Sequence, residues 1–180
     1  GAAYVFGPQK GADEALVKVL DENLRYLALI VKRDLGTDIS NIPGAGAAGG
    51  MGGGMAAFFG SRLKMGIETV LDVTGFDHLL EGADLVFTGE GKIDSQSLRG
   101  KVVAGVARRA KKAGVPVVAI AGDIDDGIAE IYDKGVAAVF SINRKAIPFS
   151  EARLRCRDDL FLAMDNLMRL LKASAGCKNV

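Results

Sequence analysis

Ten consecutive residues concentrate the polar chemistry of this chain: Thr88-Gly89-Glu90-Gly91-Lys92-Ile93-Asp94-Ser95-Gln96-Ser97. They carry two carboxylates, a lysine, a glutamine and three hydroxyls. Glu90 and Asp94 are four apart, a spacing that in a loop implies no shared helical face. Two neighbouring carboxylates suit Mg2+ binding, proton abstraction from a hydroxyl, or hydrogen bonds to a polyol. Ser95 or Ser97 is also placed to cap a following helix, which is the plainer use of one of them. Lys101, one turn into that helix, is in reach of a phosphate.

A second stretch, Gly44 to Gly54, has seven glycines in eleven residues. It contains a formal G-x-G-x-x-G match at Gly44, Gly46 and Gly49. The dinucleotide fingerprint needs a β-strand immediately before it, and Ile42-Pro43 is a poor strand. No Walker A pattern exists, because neither Gly91-Lys92 nor Gly100-Lys101 has the required upstream glycine or following Ser/Thr. The run alternates Gly with Ala and Met and enters Phe58-Phe59, unlike a polar flexible linker. It reads as a glycine-rich loop opening a buried helix. Bare backbone N–H groups and a helix N-terminus could then receive an anion. Tight packing against another backbone explains the same glycines without a ligand. Lys10, just ahead of the first long helix, meets an anion or is simply solvated.

The elements that must position these residues alternate. An extended segment with β-prone Tyr4-Val5-Phe6 is followed by a Gly7-Pro8 turn. A long helix spans Asp13 to Leu35, with Asp13 as its cap and Gly36 closing it. Leu16, Leu20, Leu24, Leu27 and Val31 form one apolar stripe along it. Short helical patterns cover Ile67–Val73 and His78–Leu80. Strands are expected at Asp84–Phe87, Val115–Ala121 and Val136–Phe140. Helices are expected at Leu98–Ala113, Gly127–Lys134 and Ser150–Ala175. Strand–helix alternation with short connections argues a parallel sheet. The fold class is therefore α/β. The loops after Phe87, Ile120 and Phe140 lie on one sheet edge, where ligands of such folds bind. The second of these holds Asp123, Asp125 and Asp126, which are expected mainly as turn and cap residues. The third holds Ser141, Asn143 and Arg144.

Composition narrows the functions. The chain has 180 residues, 49% of them apolar, and a formal net charge of +1. No global field directs it to nucleic acid or membrane. Arg153, Arg155 and Arg157 alternate with other residue types and read as a solvated helix face. Cys156 and Cys177 lack metal-like spacing and read as thiols of a reducing cytoplasm. His78, beside Phe76 and Leu79, reads as structural; without a Ser–His or Cys–His pair, nucleophilic hydrolysis has little support. Phosphoryl transfer fits better, since it needs phosphate-cradling amides, a cation and a base near the acceptor hydroxyl. The residues alone reach an α/β enzyme acting on small anions. A non-catalytic small-anion binding module and a purely structural fragment are the alternatives.

Four stretches carry a resemblance to a known family: Phe6-Gly7-Pro8-Gln9-Lys10-Gly11-Ala12, Pro43 to Gly52, Ala83 to Ser97, and Val117-Val118-Ala119-Ile120-Ala121-Gly122. Their order and spacing resemble the bacterial type I glycerate kinases, with Thr-Gly-Glu-Gly-x-x-Asp-x-Gln the most specific element. The resemblance covers essentially the whole chain. It implies transfer of the ATP γ-phosphate to a hydroxyl of D-glycerate, with Mg2+; a cytoplasmic location is expected separately, from the lack of a signal-peptide pattern or an apolar run of membrane length. The resemblance also implies a parallel Rossmann-like sheet with helices on both faces, residues 76–180, plus part of an inserted α/β domain, residues 1–75, and a cleft between them.

On the matching positions, Asp94 and Glu90 would act on the glycerate hydroxyl or Mg2+. Gln96, Lys101 and Lys10 would orient anionic groups. Gly44, Gly46, Gly49 and Gly50 would admit phosphate or the glycerate carboxylate. The family's N-terminal Asp-Ser-Phe-Lys-Gly-Ser and its later Asp-Gly-Gly-Glu-Gly stretch have no counterpart here. The chain therefore reads as the C-terminal half, not expected to be active alone unless another polypeptide supplies the missing part; a homodimer or pairing with a missing N-terminal half is the expected partnership.

Overall fold

The computed structural model describes residues 1–94, 97 and 101–176. Backbone contacts divide the chain into two compact units, residues 1–65 and 66–180.

In the first unit, helix α1 (Ala2–Phe6) leads through a 3-10 turn (Pro8–Lys10) to helix α2 (Glu14–Leu35). The expected extended start is thus helical. Ala2 and Ala3 are good helix formers, and small enough to bring α1 close to its neighbours; Ala3 is buried, whereas Tyr4, Val5 and Phe6 stay exposed. Packing overrides the β propensity of the last three.

Helix α2 begins and ends as its sequence dictates. The Asp13 carboxylate accepts the Leu16 N–H at 2.8 Å, and Gly36 closes the helix in the left-handed region at φ 71°. The expected apolar stripe is a different matter. Val17, Ala28 and Val31 are buried, but Leu16, Leu20 and Leu27 are exposed. Among the described residues, the short helices α1 and α3 (Met51–Phe59) and the loop residues Ile39 and Ile42 pack against α2, and these three leucines stay exposed. Helix α3 is likewise not the buried helix expected of the glycine run: Gly53 is its one buried residue, and Met51, Phe58 and Phe59 are exposed.

The second unit opens with helices α4 (Gly66–Val73) and α5 (Phe76–Leu79), as the pattern predicts. Then come strand β1 (Val86–Ile93), helix α6 (Val102–Lys112), strand β2 (Val117–Ile124), the short helix α7 (Glu130–Asp133), strand β3 (Val136–Ser141) and helix α8 (Phe149–Gly176). The three strands form a parallel sheet in the order β1-β2-β3, flanked by helices.

Strand β1 is much longer than its apolar stretch. Thr88 to Ile93, read as loop, continues the ladder from Val86↔Val117 to Ile93↔Ile124. The glycines make this possible. A Cβ on Gly89 would lie 2.6 Å from the Ile120 carbonyl oxygen, and one on Gly122 would lie 2.6 Å from that of Gly91. Side-chain-free positions let the two backbones approach, so Gly, usually a strand weakener, is here a condition of pairing.

One face of the sheet packs on α6 around Ile93, Val103, Val106, Ala107, Ala110, Val117, Ala119 and Ala121, with Ile131 of α7. Arg109 clamps α4 and α5 onto α6: its guanidinium donates to Glu68 at 2.8 Å, to Asp77 at 3.0 Å, and to Asp72. These partners, Asp72 foremost, hold its pKa above the ordinary arginine value. His78, expected among apolar neighbours, is exposed, with Nδ1 3.3 Å from Glu81. It lies within the short helix α5, where Phe76 is the residue packed against the core. Cys156 is an exposed free thiol; Cys177 lies outside the described residues.

Candidate active site

Strand alternation decides where the carboxylates go. On β1, Val86, Thr88 and Glu90 are partly buried, while Phe87, Gly89 and Gly91 are exposed. Glu90 thus shares a face with the helix-side residues and meets the N-terminus of α6. Its Oε1 accepts the Val103 N–H at 3.4 Å. Lys101 occupies the N-cap position without a side-chain cap bond, so Glu90 acts as a cap reaching from thirteen residues upstream. A carboxylate there also gains from the partial positive charge of the helix end. This corrects two expectations. Ser97 does not cap α6, because the helix starts only at Val102, and Lys101 stands before the first turn rather than within it.

Ser97 instead closes a turn onto β1. Its N–H donates to the Asp94 carbonyl at 3.0 Å and to Asp94 Oδ1 at 3.1 Å. Its hydroxyl donates to Glu90 Oε2 at 2.6 Å and accepts the Asp94 N–H at 3.3 Å. The Lys92 carbonyl, 3.4 Å away, is the poorer alternative acceptor for that one hydroxyl proton. The two candidate carboxylates are therefore brought onto one fully buried serine. Ser95 and Gln96 lie outside the described residues.

The neighbouring strand ends interlock. Lys92 Nζ is 2.7 Å from Asp125 and 3.3 Å from Asp123. These two carboxylates, Asp125 first, raise the lysine's pKa. Asn143 donates to the Gly122 carbonyl at 2.6 Å, and the Ser141 hydroxyl donates to the same oxygen at 3.2 Å. Lys92 as the partner of Asp123 was not legible beforehand; the signal lies in the register, which sets Lys92 directly opposite Asp123.

In the first unit, the candidate glycines serve distinct ends. Gly44, Gly49 and Gly50 have φ of 90°, 70° and 101°, and Ala48 between them is itself left-handed at 51°. Gly46 is needed for packing, since a Cβ would come within 2.5 Å of the Ala2 methyl. A Cβ on Gly49 would meet open space. Several loop N–H groups are spent internally: Gly50 donates to Gly46, Gly52 to Ala47 and Gly53 to Ala45. Among the described residues, the N–H groups of Ala48, Gly49 and Met51 have no such partner. Lys10 is exposed at the end of the 3-10 turn.

Among the described residues, no group of three or more His, Cys, Asp or Glu side chains could hold a metal ion. Mg2+ asks for less: it commonly takes one or two protein carboxylates and completes its shell with water and substrate phosphates. Glu90 and Asp94 supply that hard-oxygen donor type. No helix among the described residues is long and apolar enough to cross a membrane.

A parallel α/β unit with one carboxylate within β1 and a second at that strand's carboxyl end places them toward the edge where open α/β sheets bind small ligands. Comparison with known proteins narrows this class of site. The family model described as the glycerate kinase family matches residues 1–172. The chain belongs to that family. It is 46% identical over 175 residues to a Bacillus cereus glycerate kinase, covering 97% of this chain and 46% of that protein. It is 44% identical over 179 residues to the Escherichia coli glycerate 2-kinase, covering 99% of this chain and 46% of that protein. Among solved structures, a protein assigned as glycerate kinase 2 from Salmonella typhimurium LT2 aligns with a TM-score of 0.70 and 40% identity, covering 98% of this chain and 45% of that one. The chain thus spans somewhat under half the length of these relatives.

Proposed function

We propose that the full-length protein phosphorylates a hydroxyl of D-glycerate with the γ-phosphate of ATP. The observation that carries this reading is the pair Glu90–Asp94, held on one buried serine beside a helix N-terminus in a chain of the glycerate kinase family. Asp94 takes the proton of the acceptor hydroxyl. Glu90 shares in orienting that hydroxyl or in holding Mg2+. Bound there, Mg2+ would neutralise charge on the transferring phosphoryl group. The relative named glycerate 2-kinase favours the 2-hydroxyl as acceptor.

In the first unit, the N–H groups around Gly49 receive a phosphate or carboxylate, with Gly44, Gly46 and Gly50 allowing the turn that exposes them. Lys10 and Lys101, both exposed, attract anionic groups. Gln96 is proposed as an orienting amide on the strength of its motif position alone. The domain roles follow the family: residues 1–75 as part of the inserted domain and 76–180 as part of the Rossmann-like one, in a cytoplasmic enzyme.

The test is Mg2+- and ATP-dependent phosphorylation of D-glycerate by the full-length protein and by Asp94→Asn. Loss of turnover by about a hundredfold or more is expected of a missing general base. Unchanged turnover in Asp94→Asn would sink the base assignment. Glycerate binding that ignores nucleotide, with no phosphorylation, would move the reading to a binding module.

A further inference from the structure

Ser97 is a buried polar residue with a full set of partners. Its relative exposure is 0%, and neither of its carboxylate partners is fully buried. A hydroxyl enclosed this way must be satisfied, because an unpartnered buried polar group is costly. Here it is satisfied by both residues to which the reaction is assigned. Its proton goes to Glu90 at 2.6 Å, within the short range of a charge-assisted O–H···O bond. Its lone pair takes the Asp94 N–H, and its own N–H holds Asp94 Oδ1. Glu90 is anchored in β1 and, through Val103, at the start of α6. The Glu90 carboxylate and the Asp94 amide therefore meet on one oxygen atom, and the Asp94 carboxylate is held by the backbone N–H of the same residue.

We propose that Ser97 is a positioning residue: its hydroxyl ties the Asp94 amide to the rigid β1–α6 junction and orients Glu90 at the same time, while its backbone N–H holds the Asp94 carboxylate. This rests on the kinase reading above. Ser97 touches neither phosphate nor acceptor; it acts through the two carboxylates. Removing its hydroxyl takes one restraint from the Asp94 amide and leaves Glu90 to reorient, although the bonds from the Ser97 N–H to Asp94 remain. A displacement of about 1 Å at a reacting group costs on the order of a hundredfold in rate.

The experiment uses the full-length protein with Ser97→Ala, Ser97→Thr, Asp94→Asn and the Ser97→Ala/Asp94→Asn double variant. Ser97→Ala is expected to lower kcat by about ten- to a hundredfold, with KM for ATP changed less than about threefold. Ser97→Thr, which keeps the hydroxyl, should recover most of that loss. In the Asp94→Asn background, Ser97→Ala should cost clearly less than in the unmodified protein, since only its effect through Glu90 remains and residues acting as a unit are not additive. Full additivity in the double variant, or undiminished kcat in Ser97→Ala, overturns the proposal.

Amide hydrogen exchange supplies a readout independent of turnover. Ser97→Ala should speed exchange at the Asp94 and Val103 amides by about tenfold or more, the loss of one hydrogen-bonded restraint, while Ala119 and Ala121 stay unchanged. If the unmodified protein does not phosphorylate glycerate, the kinase reading fails and exchange alone judges Ser97. If Ser97→Ala does not fold, the unmodified protein decides. An Asp94 amide exchanging as fast as an exposed loop amide overturns the proposal; one slowed about tenfold or more upholds it.

Discussion

The two units of the chain hold their candidate residues by different physics. In residues 66–180, a sheet face, α6 and α7 close over one another, and Ile93, Val103, Val117 and Ile131 have essentially no exposed surface. The carboxylates inherit that rigidity through strand register and a buried serine. In residues 1–65, the buried hydrophobic cluster is only Ala28, Val31 and Ile39, with Ile42 and Ala57 beside it. There the glycine turn is shaped by close backbone approach and positive φ rather than by a surrounding core. A polar site can be made exact by burial or by steric necessity at the backbone, and this chain uses one in each unit.

The largest test of that difference is truncation in each core. Ile131→Ala removes a fully buried side chain, at an expected cost of about 2–5 kcal/mol. Val31→Ala in the first unit should cost only roughly 1–2 kcal/mol, from two lost carbons at about 0.8 kcal/mol each. Denaturant unfolding, with amide exchange reporting each unit separately, measures both. Equal costs would break the contrast, because the first unit would then have a core as demanding as the second.

Glycine substitutions come next and sharpen the contrast. A Cβ on Gly52 would collide with the Gly44 carbonyl oxygen, which is backbone and cannot swing away. Gly52→Ala should cost about 1–3 kcal/mol by overpacking, with no compensating side-chain change available. In the second unit, a Cβ on Gly105 would lie 2.5 Å from Ile67 Cγ1. That obstacle is a side chain, and Ala gains about 1 kcal/mol of helix propensity over Gly. Gly105→Ala should therefore cost less, and Ile67→Ala should relieve it. Thermal unfolding of the three variants checks this. Gly52→Ala at no cost would mean that the turn is soft and its glycines serve something other than close approach.

The same contrast explains how much of the molecule was legible in its sequence. The parallel α/β pattern, the caps of α2 and the places of β2 and β3 could be read, as could the start of β1 to within about two residues, because periodicity and capping are local signals. The length of β1 could not. Glycine and charge argue against a strand, and only the near contact of Gly89 with the Ile120 carbonyl shows why they belong in one. The α-helical start was hidden for the converse reason: Tyr4-Val5-Phe6 favours β locally, but the Ala3 side chain is buried. At the site, Glu90 and Asp94 were visible as a carboxylate pair. Their junction on Ser97 and the cap from Glu90 to Val103 depend on strand register and on where α6 begins, which no spacing announces.

The smallest effects are electrostatic, and they run in opposite directions in the two units. Asp38 accepts Lys32 Nζ at 2.7 Å and the Ser40 N–H at 3.0 Å. The lysine bond first, then the backbone bond, pulls its pKa from the ordinary 3.8 to about 2. A depressed carboxylate contributes stability that is present above its ordinary value and lost as pH falls through the folded one, so this contribution fades between pH 3.8 and about 2.

Lys92 behaves in the opposite sense. Asp125 and Asp123 raise its pKa above the ordinary 10.5, so its contribution is present below that value and lost only at more alkaline pH. Both groups are exposed, so both effects are small and fade with added salt. Asp38→Asn should flatten the acid limb of the first unit's stability and leave the alkaline limb of the second unchanged. A carboxyl titration of Asp38 by NMR with a midpoint near the ordinary value would remove the first half of this pairing. It would also show that the Lys32–Asp38 contact does not persist in solution.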